Sequence, residues 1–317
     1  MQVLLNLLLL TIGFTLLIKG ADWFVDGASS TALNFKVSKM LIGLTIVAFG
    51  TSAPELAVSL QAFAAGSTDI VLGNIVGSCI LNILLIIGIG ATIKPIKIKD
   101  DTVISEVPLL LLVSTVFAIL MLDEFHGNGA SNMFSRGDAA VIICVFGIFI
   151  NYLVRQALNK KEKTKEKPPY GILQSFILIV VGLIGIIIGS DMVVDSATAL
   201  ATVIGVSERV ISLTIVSFGT SLPELVTTII SSKKGEQDIL LGNIIGGNIF
   251  NICLVLGIPV LIFGNLVPSS FALLDMAMLV ISAVILLIFG AVDRELSRTN
   301  GLIMLGFFLI YYFLVML

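Results

Sequence analysis

The sequence predicts an all-α integral membrane protein of ten transmembrane helices, arranged as two inverted-topology five-helix repeats with discontinuous helices meeting at the midplane. Three observations carry that expectation. Of 317 residues, 57% are apolar and only 12% are charged, with a mean hydropathy of +1.11, far from the composition of soluble domains. The chain also repeats itself at an offset of 169 residues: Ile42–Leu56 and Ile211–Leu225 agree at twelve of fifteen positions, and Leu72–Ile83 and Leu241–Ile252 at eight of twelve. Finally, each repeat sets a proline inside an apolar segment, in Gly50-Thr51-Ser52-Ala53-Pro54-Glu55 and in Gly219-Thr220-Ser221-Leu222-Pro223-Glu224. Proline has no N–H to give the carbonyl four residues earlier, and its ring strains that turn, so a break or kink is expected at each motif. In lipid such breaks survive only where protein or a polar cavity satisfies the freed groups, so the two should face each other.

In chain order, Val3–Ile18 is an apolar run without the positive flank and cleavage site of a signal peptide, and it is read as a retained first span. Lys19–Lys39 is amphipathic and extends it in part. Further spans fall at about 40–64, 70–93, 103–122 and 138–154. Arg155–Pro169, RQALNKKEKTKEKPP, is basic and poor in apolar residues, which marks a solvated linker between a first repeat (residues 1–154) and a second (residues 170–317). The second repeat has its spans near 171–190, 209–231, 239–263, 271–292 and 301–317.

Cytoplasmic loops carry the excess of lysine and arginine. With both termini outside a plasma membrane, sixteen of the eighteen basic residues fall inside, the linker among them, and only Arg136 and Arg209 fall outside. An odd number of spans per repeat then inserts the two halves upside down relative to one another, the architecture of secondary transporters.

A glutamate at bilayer depth costs about 2.5 kcal/mol or more, so Glu55 and Glu224 call for a cationic counterpart. Thr51 and Ser52 precede Glu55 by four and three residues, as Thr220 and Ser221 precede Glu224, which puts hydroxyls and carboxylate on one face wherever the helix persists. Asn74, Ser78 and Asn82 form a stripe at i, i+4, i+8, with Asn243, Gly247 and Asn251 as its mate. Alone, such a stripe reads equally well as helix-to-helix packing. The pooled ligands are all oxygen, a set suited to Ca²⁺ or Na⁺ and poor for zinc or copper. Two glutamates balance one Ca²⁺, and competition of monovalent ions for shared ligands is a basis for exchange. No ATP-binding loop is present, so an ion gradient supplies the energy.

Other functions find less support. Cys79, Cys144 and Cys253 stand singly and read as packing residues, and His126, the only histidine, lies in a polar loop. An intramembrane hydrolase would need paired aspartates, a serine with a base, or a His/Glu metal motif, so the chain reads as no enzyme. A cation channel could use the same oxygens. No cofactor, nucleic acid or protein partner is indicated, and the partner is the lipid bilayer. Asp22 with Asp26 and Asp191 with Asp195 read as solvated interfacial acids, Glu106 and Asp275 as span-end acids, and Trp23, Tyr152, Tyr170, Tyr311 and Tyr312 mostly as interfacial anchors.

The doubled blocks, GTSAPEL with GNIVGSCILN and GTSLPEL with GNIIGGNIFN, resemble the α-repeats of the calcium/cation antiporter superfamily and, within it, the compact microbial sodium/calcium exchangers. The resemblance covers nearly the whole chain. It implies a Ca²⁺ site of Thr51, Glu55, Thr220 and Glu224, shared in part with Na⁺, and Na⁺ sites drawing on the Ala48 and Ser217 carbonyls, Ser52, Ser221, Ser78, Asn82 and Asn251. The proton-coupled branch carries an asparagine-containing GN motif where this chain has GTS. Asn251 stands where potassium-dependent relatives have an aspartate, and Gly247 where some relatives have a serine. The resemblance thus implies Na⁺-for-Ca²⁺ exchange by alternating access without K⁺, with K⁺-dependent or H⁺-coupled exchange as the alternatives.

Overall fold

A computed structural model describes residues 2–122, 132–159, 167–205, 217–268 and 273–316, and nearly all of them are helical. Helices α1 (Gln2–Phe35, 34 residues) and α7 (Ile172–Val203, 32 residues) are far longer than the roughly 20 residues that cross a bilayer upright. The apolar runs predict spans ending near Ile18, extended in part by Lys19–Lys39, and near Ser190; both helices continue without a break to Phe35 and Val203. The reason is burial by neighbours: Ala21, Phe24, Ala28, Ser29, Ser30 and Ala32 of α1, and Val193 and Ser196 of α7, are covered by protein, so the later turns need no apolar surface for lipid.

These two helices are repeat mates, and they pack against each other in opposite directions. Gly13 lies on Gly189, Gly20 on Gly182 and Gly27 on Ser175, one contact every seven residues. A Cβ on Gly20 would stand 2.7 Å from the Gly182 carbonyl oxygen, and one on Gly182 would stand 2.6 Å from the Phe24 amide nitrogen. The backbones are in contact, a separation that small residues permit and that bilayer helices use in place of a hydrophobic drive.

The expected breaks are present. Helices α2 (Lys39–Thr51) and α3 (Ala53–Ala64) meet at a 43° bend at Ser52, and Pro54 occupies the first turn of α3, where a missing N–H leaves no helical bond unmade. In the second repeat α8 (Ser217–Gly219) and α9 (Leu222–Lys234) meet in the same way around Ser221, with Pro223 again in the first turn. Residues 206–216 of the predicted 209–231 span, Arg209 included, lie outside the described residues, as do His126 and residues 160–166 of the linker.

The two most enclosed helices are α4 (Thr68–Ile93) and α10 (Gln237–Phe263), again repeat mates. Around them stand α5 (Thr102–Leu120), α6 (Arg136–Asn159), α11 (Leu273–Asp293) and α12 (Arg298–Met316). A short antiparallel pair, β1 (Ile96–Lys97) with β2 (Glu295–Leu296), ties the loop after α4 to the loop before α12. The core lies between α4 and α10, in residues such as Ile75, Ile80, Ile83, Ile244, Ile249 and Ile252. The outer faces are apolar as well: Leu4, Leu8, Leu173, Phe176, Leu309 and Phe313 are all exposed. An apolar outer shell of this kind is what lipid solvates. Among the described residues eight helices can cross a membrane unaided and the bent pair makes a ninth, so this is an all-α, multi-pass membrane protein.

Candidate cation site where the repeats cross

Each sequence motif is completed by the opposite repeat. The Thr51 hydroxyl donates to Asn243 Oδ1 at 2.9 Å, and the Thr220 hydroxyl donates to Asn74 Oδ1 at 3.3 Å. Asn74 and Asn243 are repeat mates, as are Thr51 and Thr220, so the two bonds are related by an approximate two-fold. That axis passes between Cys79 and Asn248, another mated pair: Asn248 Nδ2 donates to the Cys79 carbonyl at 2.9 Å, and the Cys79 thiol points at the Asn248 carbonyl. The helix breaks therefore lie against the stripes of α4 and α10, which supply polar partners inside the bundle.

Both carboxylates are fully buried, at 0% exposure, and close enough to repel each other. None of the four oxygens of Glu55 and Glu224 accepts a hydrogen bond among the described residues. The Thr51 hydroxyl lies beside the Glu224 carboxylate, but its one hydrogen goes to Asn243. A hydroxyl that has given up its hydrogen presents only lone pairs to the cavity, so Thr51 acts there as an acceptor. Asn74 Nδ2 turns away toward the Glu55 carbonyl and Ser59, leaving the oxygen side of the amide on Thr220.

The remaining predicted ligands gather around the same crossing. Ser221 Oγ is 3.4 Å from Ser78 Oγ. Its mate Ser52 has no such neighbour, because position 247 is glycine; a Cβ there would stand 3.4 Å from Ser52 Oγ, which is buried and without a partner among the described residues. Asn82 donates to Asn248 Oδ1 at 2.9 Å and keeps its own Oδ1 unpaired. Asn251 is buried with both amide atoms unpaired, since the residue equivalent to Asn248 in the other repeat is Cys79, which cannot complement an amide. The buried Ala48 carbonyl accepts the Ser52 N–H at 3.0 Å and has a second lone pair to offer. Ser217 opens α8 at the equivalent place.

Two features were not foreseen. Asn248 links Asn82 to the axis, although its mate is a cysteine and the duplication therefore does not single it out. In both enclosed helices the stripe ends in a π-helical turn, Asn82–Ile87 and Asn251–Leu256, each opening on a candidate ligand. Such turns widen the backbone and recur at functional sites. The peripheral acids also differ from expectation: Asp22 and Asp26 are not merely solvated but hold Lys234 Nζ at 2.7 and 2.6 Å. Likewise, Tyr152 and Tyr311 give their hydroxyls to Glu106 and Asp275, which explains why they point inward.

Two buried carboxylates beside hydroxyl and amide side chains, where the repeats cross in a helical membrane bundle, are a candidate cation site. The chain belongs to the sodium/calcium exchanger protein family, which matches residues 5–155 and 174–317, and it is thus a transport protein and no enzyme. It is 31% identical to the sodium/calcium exchanger MaX1 of Methanosarcina acetivorans, with 98% of each chain covered. It is 37% identical to the inner membrane protein YrbG of Escherichia coli K12, covering 97% of this chain and 96% of that one. The solved structure of the sodium-calcium exchanger NCX_Mj soaked with Na⁺ and Sr²⁺ matches at a TM-score of 0.84 and 33% identity, over 99% of this chain and 98% of that one.

Proposed function

We propose that this protein is a secondary active antiporter of the plasma membrane that exchanges Na⁺ for Ca²⁺ by alternating access, through the pocket where the two repeats cross. The observation that carries the reading is the set of four buried carboxylate oxygens on Glu55 and Glu224 without a hydrogen-bond partner among the described residues. Two carboxylates in low dielectric are stable only with positive charge between them, and one Ca²⁺ supplies it. Thr51 and Thr220 add hydroxyl oxygens to that site. Na⁺ ions use the same carboxylates together with Ser52, Ser78, Ser221, Asn82, Asn251 and the Ala48 and Ser217 carbonyls. Because the ligands are shared, Ca²⁺ and Na⁺ exclude each other. Residues 1–154 and 170–317 form the two inverted halves of a ten-span protein, both termini lie outside, and the 155–169 linker is cytoplasmic.

Exchange runs without K⁺. Asn251 is neutral, so the pocket holds two negative charges and needs no further cation beside Ca²⁺. The test is uptake of radiolabelled Ca²⁺ into vesicles holding the purified protein, with an imposed Na⁺ gradient, with and without K⁺ and a pH gradient. Uptake driven by Na⁺ alone, and abolished by Glu55→Gln and by Glu224→Gln, is the expected result. Uptake that requires K⁺ or follows the pH gradient instead would overturn the Na⁺-only coupling, and full activity of both variants would overturn the site.

A further inference from the structure

The first repeat buries one more carboxylate, well apart in sequence from the exchange motifs. Glu106 ends the π-helical opening turn of α5, Thr102–Glu106, is 1% exposed, and forms no ion pair among the described residues. Two side chains one turn apart on α6 reach it. The Tyr152 hydroxyl donates to Glu106 Oε1, and Gln156 Nε2 donates to the same oxygen at 3.1 Å and to the Tyr152 hydroxyl at 3.2 Å. Glu106 Oε2 and Gln156 Oε1 are buried without a well-formed hydrogen bond among the described residues, the Thr102 hydroxyl being the one further donor beside the carboxylate. The other groups bearing on the carboxylate are Thr102 and Asp101 of its own helix, and Asp101 adds negative charge. Arg294, from the loop paired with β1, is engaged by Asp100.

Both unmet atoms are acceptors, and among the described residues the Glu106 carboxylate has no counter-charge. A buried charge in that condition costs several kcal/mol, so a positive species completes the cluster. One carboxylate balances one unit of charge. A divalent ion would remain over-charged and would want about six to eight oxygens, more than Glu106, Tyr152, Gln156 and Thr102 supply. We infer that Glu106, Tyr152 and Gln156 form a second, monovalent-cation site, taking H⁺ or Na⁺, separate from the exchange pocket. The repeat mate of Glu106 is Asp275, whose Oδ1 accepts from the Tyr311 hydroxyl at 2.9 Å. Asp275 is only half-buried, so its charge is less isolated and calls less strongly for a bound cation. The site is therefore present in one repeat only, at the end of the bundle where α6 runs toward the linker.

The test is independent of exchange. In full-length protein carrying Glu55→Gln and Glu224→Gln, which silences the pocket carboxylates, infrared difference spectra are recorded on titration from alkaline to acidic pH, in Na⁺ and in choline, with and without Glu106→Gln. The parent is expected to show a carboxyl band that Glu106→Gln removes and that Tyr152→Phe shifts in frequency. Loss of that band on adding Na⁺ at constant pH assigns the site to both ions, and insensitivity to Na⁺ assigns it to the proton. A Na⁺-dependent change confined to the carboxylate bands, removed by Glu106→Gln, assigns it to Na⁺ alone. The comparison of wild type with Glu106→Gln, read in the same way, guards against misfolding of the triple variant. If the spectra with and without Glu106→Gln respond identically to pH and to Na⁺ in both backgrounds, Glu106 binds neither ion and the inference falls.

Discussion

Glu55→Gln should make the ion-free protein more stable while weakening its response to Ca²⁺. Thr51 precedes Glu55 by one turn and lies beside Glu224, and the two carboxylates are close enough to repel each other; at an effective dielectric of about 20, two unit charges on the order of 8 Å apart repel by about 2 kcal/mol. Neither carboxylate has a hydrogen-bond partner to offset this among the described residues, so neutralising one relieves the repulsion and raises the unfolding temperature without ligand. Binding acts in the opposite sense. At about 100 times its Kd, Ca²⁺ stabilises the wild type by about 2.7 kcal/mol. Losing half of the counter-charge weakens binding by more than tenfold, about 1.4 kcal/mol at least, so at the same Ca²⁺ concentration about half of that increment or more disappears. Thermal unfolding of the detergent-purified protein with and without Ca²⁺ measures both effects. A variant that is less stable without Ca²⁺ and keeps the full Ca²⁺ increment would mean that Glu55 is structural and the pocket lies elsewhere.

Four further outcomes follow from single contacts. Gly182→Ala should lower thermal stability by about 1–3 kcal/mol, because its Cβ meets the Phe24 and Gly20 backbones rather than a movable side chain; Gly306→Ala, inside α12 with open space around it, should not lower stability and should raise it by up to about 1 kcal/mol. Lys234→Ala releases Asp22 and Asp26 from α9, and since its repeat mate is Ala65 the opposite face has no equivalent lysine. It should favour opening at the Lys234 end by about 0.5–1 kcal/mol, read as two- to fivefold faster thiol labelling of a cysteine placed on α9, and an unchanged rate would refute it. Asn251→Asp places a third like charge in the pocket and makes protons compete, so Ca²⁺ uptake should fall as pH is lowered; a pH profile identical to wild type would put Asn251 outside the ion path. Gly247→Ser gives Ser52 the hydroxyl neighbour that Ser221 has in Ser78, and should shift the Na⁺ dependence of uptake without changing its pH profile.

What could be read from the chain by itself was whatever local covalent chemistry or composition imposes. Proline removes a helical donor wherever it stands, so the bend at Ser52 was legible from Pro54 alone. A fixed offset of 169 residues identifies equivalent positions, so Thr51, Glu55, Thr220, Glu224 and the asparagine stripes could be named before their geometry was known. Tertiary structure decided which partners those groups find. That Thr51 meets Asn243 rather than Asn74 depends on two helices crossing about an axis through Cys79 and Asn248, which no spacing along one helix records. The full continuation of α1 to Phe35 was only partly legible for the same reason: the amphipathic Lys19–Lys39 stretch extends the first span in part, and it is α7 and the rest of the bundle that bury its later turns. Glu106 reads as an ordinary span-end acid until Tyr152, 46 residues later, closes over it. Intrinsic propensities belong to a residue and its near neighbours, whereas burial and hydrogen-bond partners belong to contacts between distant segments, and these come into being only when the chain folds.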